Sequence, residues 1–164
     1  MEFFQTALII ATFLCSLIAG FLFAFAVVVM PGIRRLNDHE FIRTFQLIDG
    51  IIQNHQPVFI LVWLGSVVAI ISSAALSIGR LDGASFFLMC FVTFTYLFGV
   101  QLPTFTINVP MNNKLQTLNV DEMNETELEE TRAGFELRWN QWNIFRAAVS
   151  SIVSVLLIIL LFIL

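Results

Sequence analysis

Residues 142–164 read WNIFRAAVSSIVSVLLIILLFIL. Beyond Arg146 this stretch carries no charge, and its final turns are almost wholly Val, Leu and Ile. A helix of this length rises far enough to cross a hydrocarbon core of about 30 Å. Working back along the chain, three further apolar blocks of similar reach run from about 3 to 30, 57 to 78 and 83 to 107. The chain is 58% hydrophobic with a mean hydropathy of +0.87, an excess over soluble domains that sits in these four blocks. The fold class expected is an all-α membrane protein, a single domain over 1–164 with four transmembrane helices in a bundle.

The breaks between blocks follow from backbone chemistry. Pro31-Gly32 is expected to end the first block, because proline cannot continue the hydrogen-bond ladder and glycine permits a turn. Pro57 suits the first turn of the second, and Pro103 should kink the third. Gly79-Arg80-Leu81-Asp82 is so short a link that blocks two and three must be antiparallel neighbours. The other two links are long and carry helices. Asn37 with Glu40, and Asn124 with Glu127, have capping-box spacing. Phe41, Phe45, Ile48 and Ile52 recur at helical spacing, as do Leu128, Phe135, Trp139 and Trp142. The second stripe is expected to run unbroken into block four.

Orientation follows Lys and Arg rather than net charge. Arg34, Arg35 and Arg43 lie in the first long link, and Lys114, Arg132 and Arg138 in the second, with Arg146 at its membrane edge. Both long links are therefore expected in the cytoplasm and both termini outside, in a bacterial inner membrane. On that topology Asn124-Glu125-Thr126 is a chance sequon. The first block is longer than a signal peptide core and lacks a small-residue cleavage site after it. Expected partners are membrane lipids, with a homo-oligomer admissible. No basic run suggests nucleic acid.

The two halves of the chain echo one another. Pro31-Gly-Ile-Arg34-Arg35-Leu36 and Pro110-Met-Asn-Asn-Lys114-Leu115 each follow a span, and each precedes an amphipathic helix and another span. Two pseudo-repeated halves would bring both proline exits to one depth. Polar groups gather at that end: Asn108 and Asn112 flank Pro110, Trp139, Asn143 and Arg146 share a helical face with Trp142 beside them, and Arg34, Asp49, Asn54 and His55 come from the first half. Each has a bland reading as a belt aromatic, snorkelling cation or cap, but together they mark a site or a polar interhelical glue. Cys15 and Cys90 lie in apolar blocks without metal-site spacing, and no zinc signature, nucleophile elbow or phosphate loop is present. His39 and His55, about 160° apart on a helix, suit paired haem ligation poorly.

The motifs Asn108-Val-Pro110-Met-Asn112-Asn-Lys-Leu115 and Trp139-Asn-Gln-Trp142-Asn143-Ile-Phe-Arg146 carry a resemblance, supported by residues 29–36 and by Ile51-Ile52-Gln53-Asn54. Over nearly its whole length the chain resembles the anthrone oxygenase-like family, small four-span membrane proteins most of whose bacterial members have no assigned activity. The resemblance implies oxidation of a flat, lipophilic, anthrone-like aromatic by molecular oxygen, with no cofactor and no metal. On this reading Arg146 with Asn108, Asn112 or Asn143 stabilises an enolate oxygen, Trp139 and Trp142 stack on the ring, and His55 or Asp49 is the base. Arg34, Asn54 and Asp49 are further substrate-binding candidates. The alternatives are a non-enzymatic protein binding a quinone, lipid or partner subunit, and, last, a transporter component, since no charged residue lies mid-membrane.

Overall fold

The computed structural model describes residues 3–54 and 56–164. Five helices carry the fold: α1 Phe3–Ile33, α2 Asp38–Gln53, α3 Pro57–Ser77, α4 Gly83–Gln116 and α5 Glu125–Ile163, with a 3₁₀ turn at Val120–Glu122. No strand occurs among the described residues. All but α2 are long and apolar enough to cross a membrane, which makes this a four-span integral membrane protein. Outward-facing Phe13, Val28, Leu61, Val68, Phe87 and Ile152 are exposed on these helices and present the apolar surface that lipid covers.

Pro57 opens α3 in its first turn as expected, but Pro31-Gly32 acts differently from the reading of the sequence. Pro31-Gly32 does not end α1, which continues to Ile33, and α4 runs through Pro103 and Pro110 to Gln116. Five-residue π-helical segments at Phe25–Val29, Leu97–Gln101 and Thr104–Asn108 each end two residues before a proline. The wider turn takes up the missing N–H and the ring's clash with the carbonyl four residues back. The N–H groups of Met30, Leu102 and Val109 accordingly reach back five residues to Phe25, Leu97 and Thr104. Pro103 shares the offset of Pro31 and Pro110, so that offset follows from proline chemistry alone.

Local signals start the remaining helices. Asn37 Oδ1 accepts from the Glu40 N–H at 2.9 Å. Asn124 and Glu127 close the full reciprocal box. The Gln56 side chain caps Phe59 ahead of Pro57. The short link turns at Gly79, whose φ of +73° suits a residue without a Cβ. α5 is unbroken over 39 residues, about 58 Å at 1.5 Å each, so its acidic first turns stand clear of the bilayer.

α1 is the central helix. Its buried stripe of Leu8, Ala11, Cys15, Ile18 and Leu22 packs against both α3 and α5. A second core forms at one end, where Phe41, Phe45, Leu115, Val120, Phe135 and Trp139 pack α2 against α4 and α5. Arg132 ties this headpiece together. Its Nη1 donates to the Leu36 carbonyl at 2.8 Å and to Asp38 at 2.9 Å, its Nη2 to the Arg34 carbonyl at 2.7 Å, and its Nε to Glu136 at 2.8 Å. It thereby satisfies carbonyls left open where α1 ends. His39 and Arg43 meet Asp121 at 3.1 and 3.6 Å, so the two long links lie together at one end of the bundle.

Candidate functional site

A cavity of about 320 Å³ lies where the bundle core meets the headpiece core. All five helices line it. Its walls are aromatic: Phe21 and Phe25 stand one turn apart on α1, and Phe59 and Trp63 one turn apart on α3. Phe21 lies 4.9 Å from Phe25 and 5.1 Å from Phe59 between ring centroids, and Phe25 lies 5.9 Å from Trp139. Trp139 meets Phe45 edge-on at 5.3 Å. Leu64 and Phe105, both more than half exposed, also line it. They place the mouth on the lipid-facing surface between α3 and the π segment of α4.

The polar groups fall into two sets. The first centres on Asp49, 5% exposed. Its Oδ1 accepts from Asn112 Nδ2 at 2.7 Å, and its Oδ2 from Gln53 at 2.7 Å and Gln116 at 3.1 Å. Asn112 in turn accepts the Trp139 indole N–H at 2.7 Å, which fixes the orientation of its amide. Asp49 thus pairs with neutral amides and not with Arg34 or Arg35. Arg34 faces Glu136 instead, at 3.5 Å.

The second set centres on Arg146, 4% exposed. Its Nη1 donates to Thr104 Oγ1 at 2.8 Å and its Nη2 to Asn143 Oδ1 at 3.1 Å. The Thr104 hydroxyl donates onward to the Val100 carbonyl, inside a π segment. Asn143 Nδ2 donates to the Leu22 carbonyl at 3.2 Å. No carboxylate pairs with Arg146 among the described residues, and its Nε has no hydrogen-bond partner. Asn108 lies beside it with Nδ2 in a long 3.4 Å bond to the Trp139 carbonyl and with Oδ1 unpartnered. Buried polar atoms are normally satisfied; among the described residues the exceptions are these two, on side chains that line the cavity, and the amide of Gln101, which lies outside it.

The residues expected from sequence divide accordingly. Asp49, Asn108, Asn112, Trp139, Asn143 and Arg146 line the cavity together. Trp142 does not; it is half-buried and meets Phe145 edge-on at 5.6 Å. Arg34 faces a separate groove. Asn54 is exposed at the C-terminal cap of α2. His55 lies outside the described residues. Sequence reading missed Thr104, Gln116 and the four aromatics of α1 and α3. The aromatics were legible only as pairs at i, i+4 inside apolar spans, where ordinary core packing looks the same. Among the described residues, no three His, Cys, Asp or Glu side chains gather to hold a metal ion.

Neither a curated protein nor a solved structure matches the chain. The sequence profile described as anthrone oxygenase matches residues 56–156, more than half of the chain and including every cavity residue contributed by α3, α4 and α5. By that match, the chain belongs to the anthrone oxygenase family.

Proposed function

We propose that the cavity binds a flat, lipophilic, anthrone-like carbon acid and oxidises it with molecular oxygen, without a cofactor. The observation that supports this reading is Arg146: a buried guanidinium with only neutral partners and a bare Nε, on a cavity walled by aromatics and a few polar side chains. An unpaired cation at this depth is costly and suits a site where negative charge develops on a ligand. A cavity of about 320 Å³ sits at the small end of ligand pockets. It matches a three-ring aromatic better than a two-chain lipid.

The chemistry balances without further reagents. A base removes a proton from the ring methylene, leaving an enolate whose oxygen Arg146, with Asn143 or Asn108, stabilises. The enolate gives one electron to oxygen, the radical and superoxide combine to a peroxide anion at the former methylene carbon, and the protonated base returns its proton to give the hydroperoxide. That carbon loses its remaining proton as the O–O bond breaks, forming the second carbonyl and water. Anthrone and O₂ thus become anthraquinone and H₂O. Asp49 is the base on this reading, as the carboxylate on the cavity wall. Trp139, with Phe25 and Phe59, supplies the stacking surface.

A second reading rests on a specific observation. Asp49 is held by three amides, as a structural tie between α2 and α4 would be, and a non-enzymatic protein could hold a quinone carbonyl on Arg146. Oxygen uptake with anthrone in lipid nanodiscs separates the two. Stoichiometric anthraquinone formation that Arg146→Ala abolishes supports the oxygenase, and quinone binding without turnover supports the alternative. The proposed orientation keeps both long links in the cytoplasm and both termini outside, in a bacterial inner membrane. Thiol labelling of a cysteine placed at Asn124 only after permeabilisation is the expected result.

A further inference from the structure

A second groove, of about 620 Å³, runs between the end of α1 and the first half of α5 and shares no lining residue with the cavity. The two helices run antiparallel here, since Arg34 meets Glu136 while Leu22 meets Asn143. The groove therefore has a polarity. At the headpiece end stand Arg34 and Arg35, both exposed, with Glu136 and Leu137 at the same depth; towards the bilayer the floor continues to Ala26 and Ile144, interrupted by Asn140 and Gln141. Leu137 and Ile144 are 67% and 55% exposed and belong to neither core.

The charge at the headpiece end is incompletely cancelled. Glu136 is the acid nearest Arg34, at a long 3.5 Å, and its other oxygen is taken by Arg132 at 2.8 Å. Asp38 is likewise held by Arg132, at 2.9 Å. Arg35 has no ion pair among the described residues. A cationic mouth above a largely apolar floor, at the depth where a span leaves the bilayer, is complementary to an anionic amphiphile.

We propose that this groove seats an anionic phospholipid, its phosphate between Arg34 and Arg35 and an acyl chain along Leu137 and Ile144. An acidic peptide would meet the arginines but not the exposed apolar side chains of the floor. The lipid braces the end of α1 against α5 at the junction that Arg132 closes from the other side. The site is independent of the cavity, so it stands whether or not the protein is an oxygenase.

Native mass spectrometry in nonionic detergent tests this, titrating phosphatidylglycerol against phosphatidylcholine of the same chains. Wild type should bind phosphatidylglycerol about tenfold or more tightly. Arg34→Gln with Arg35→Gln should cost about thirty-fold in phosphatidylglycerol affinity, and the matching double Lys variant should keep the preference. Leu137→Trp, which fills the floor with the charges intact, should weaken both lipids. Equal affinity of wild type for the two lipids would overturn the site, even if the Gln variant fails to fold. So would glycerol phosphate competing as well as the intact lipid, since the occupant would then be a soluble anion.

Discussion

The two polar centres of the cavity are satisfied to very different degrees. Asp49 accepts three hydrogen bonds from Asn112, Gln53 and Gln116, all drawn from the headpiece. Arg146, one of the most deeply buried charges in the spans, has two neutral acceptors and an Nε with none. Folding has spent three amides on the acid and has left the cation under-supplied. A saturated group acts first on structure. An unsaturated one in a ligand-sized space keeps its interaction energy for something that arrives later.

The difference is open to measurement, most severely at Arg146. Arg146→Met should lower kcat/KM for anthrone oxidation about 10²–10³-fold while leaving Tm unchanged or raised, because a lone buried charge is exchanged for an apolar side chain of similar length. A fall in Tm that parallels the loss of turnover would make Arg146 glue. Asp49→Asn should act on both quantities. Its amide would set donor against donor with at least one of its three partners, costing about 1–3 kcal/mol in denaturant unfolding. Turnover should fall about 10²-fold if the carboxylate is the base. Full turnover with reduced stability would confine Asp49 to the scaffold.

Away from the cavity the effects should be on stability alone. An added Cβ at Gly99 would lie 2.8 Å from Val149 Cγ1, so Gly99→Ala should cost about 1–3 kcal/mol by overpacking with kcat retained in the folded fraction. Ser66→Ala removes the 2.7 Å partner of the buried Tyr96 hydroxyl and should cost about 1 kcal/mol with no change in turnover. Loss of catalysis in either variant would extend the functional region across the packed half of the bundle.

Hydropathy located the spans because lipid imposes a rule each segment meets alone: every backbone group bonded within the helix and an apolar exterior. Caps were legible for the same local reason, as Asn124 with Glu127 shows. Pro31-Gly32 misled because a proline's consequence depends on whether the preceding turn can widen, as it does before Pro31, Pro103 and Pro110. The site was legible where its residues share one helical face, as Trp139, Asn143 and Arg146 do on α5. It was not legible where partners come from afar: Asn112 and Gln116 reach Asp49 across 63 and 67 positions.

The sequence by itself determined four spanning helices, the two long links and the polar character of one end. Those follow from properties of contiguous segments, which the solvent judges one at a time. Only the tertiary structure decided that Arg34 faces a groove with Glu136 while Asp49 turns to the amides of α4, that Trp142 falls outside the cavity and Trp139 within it, and that Arg146 lacks a counter-charge. Those outcomes depend on where α2, α4 and α5 stand relative to one another, set by apolar packing in two cores. A polar side chain's partners are whatever that packing brings within about 3 Å of it.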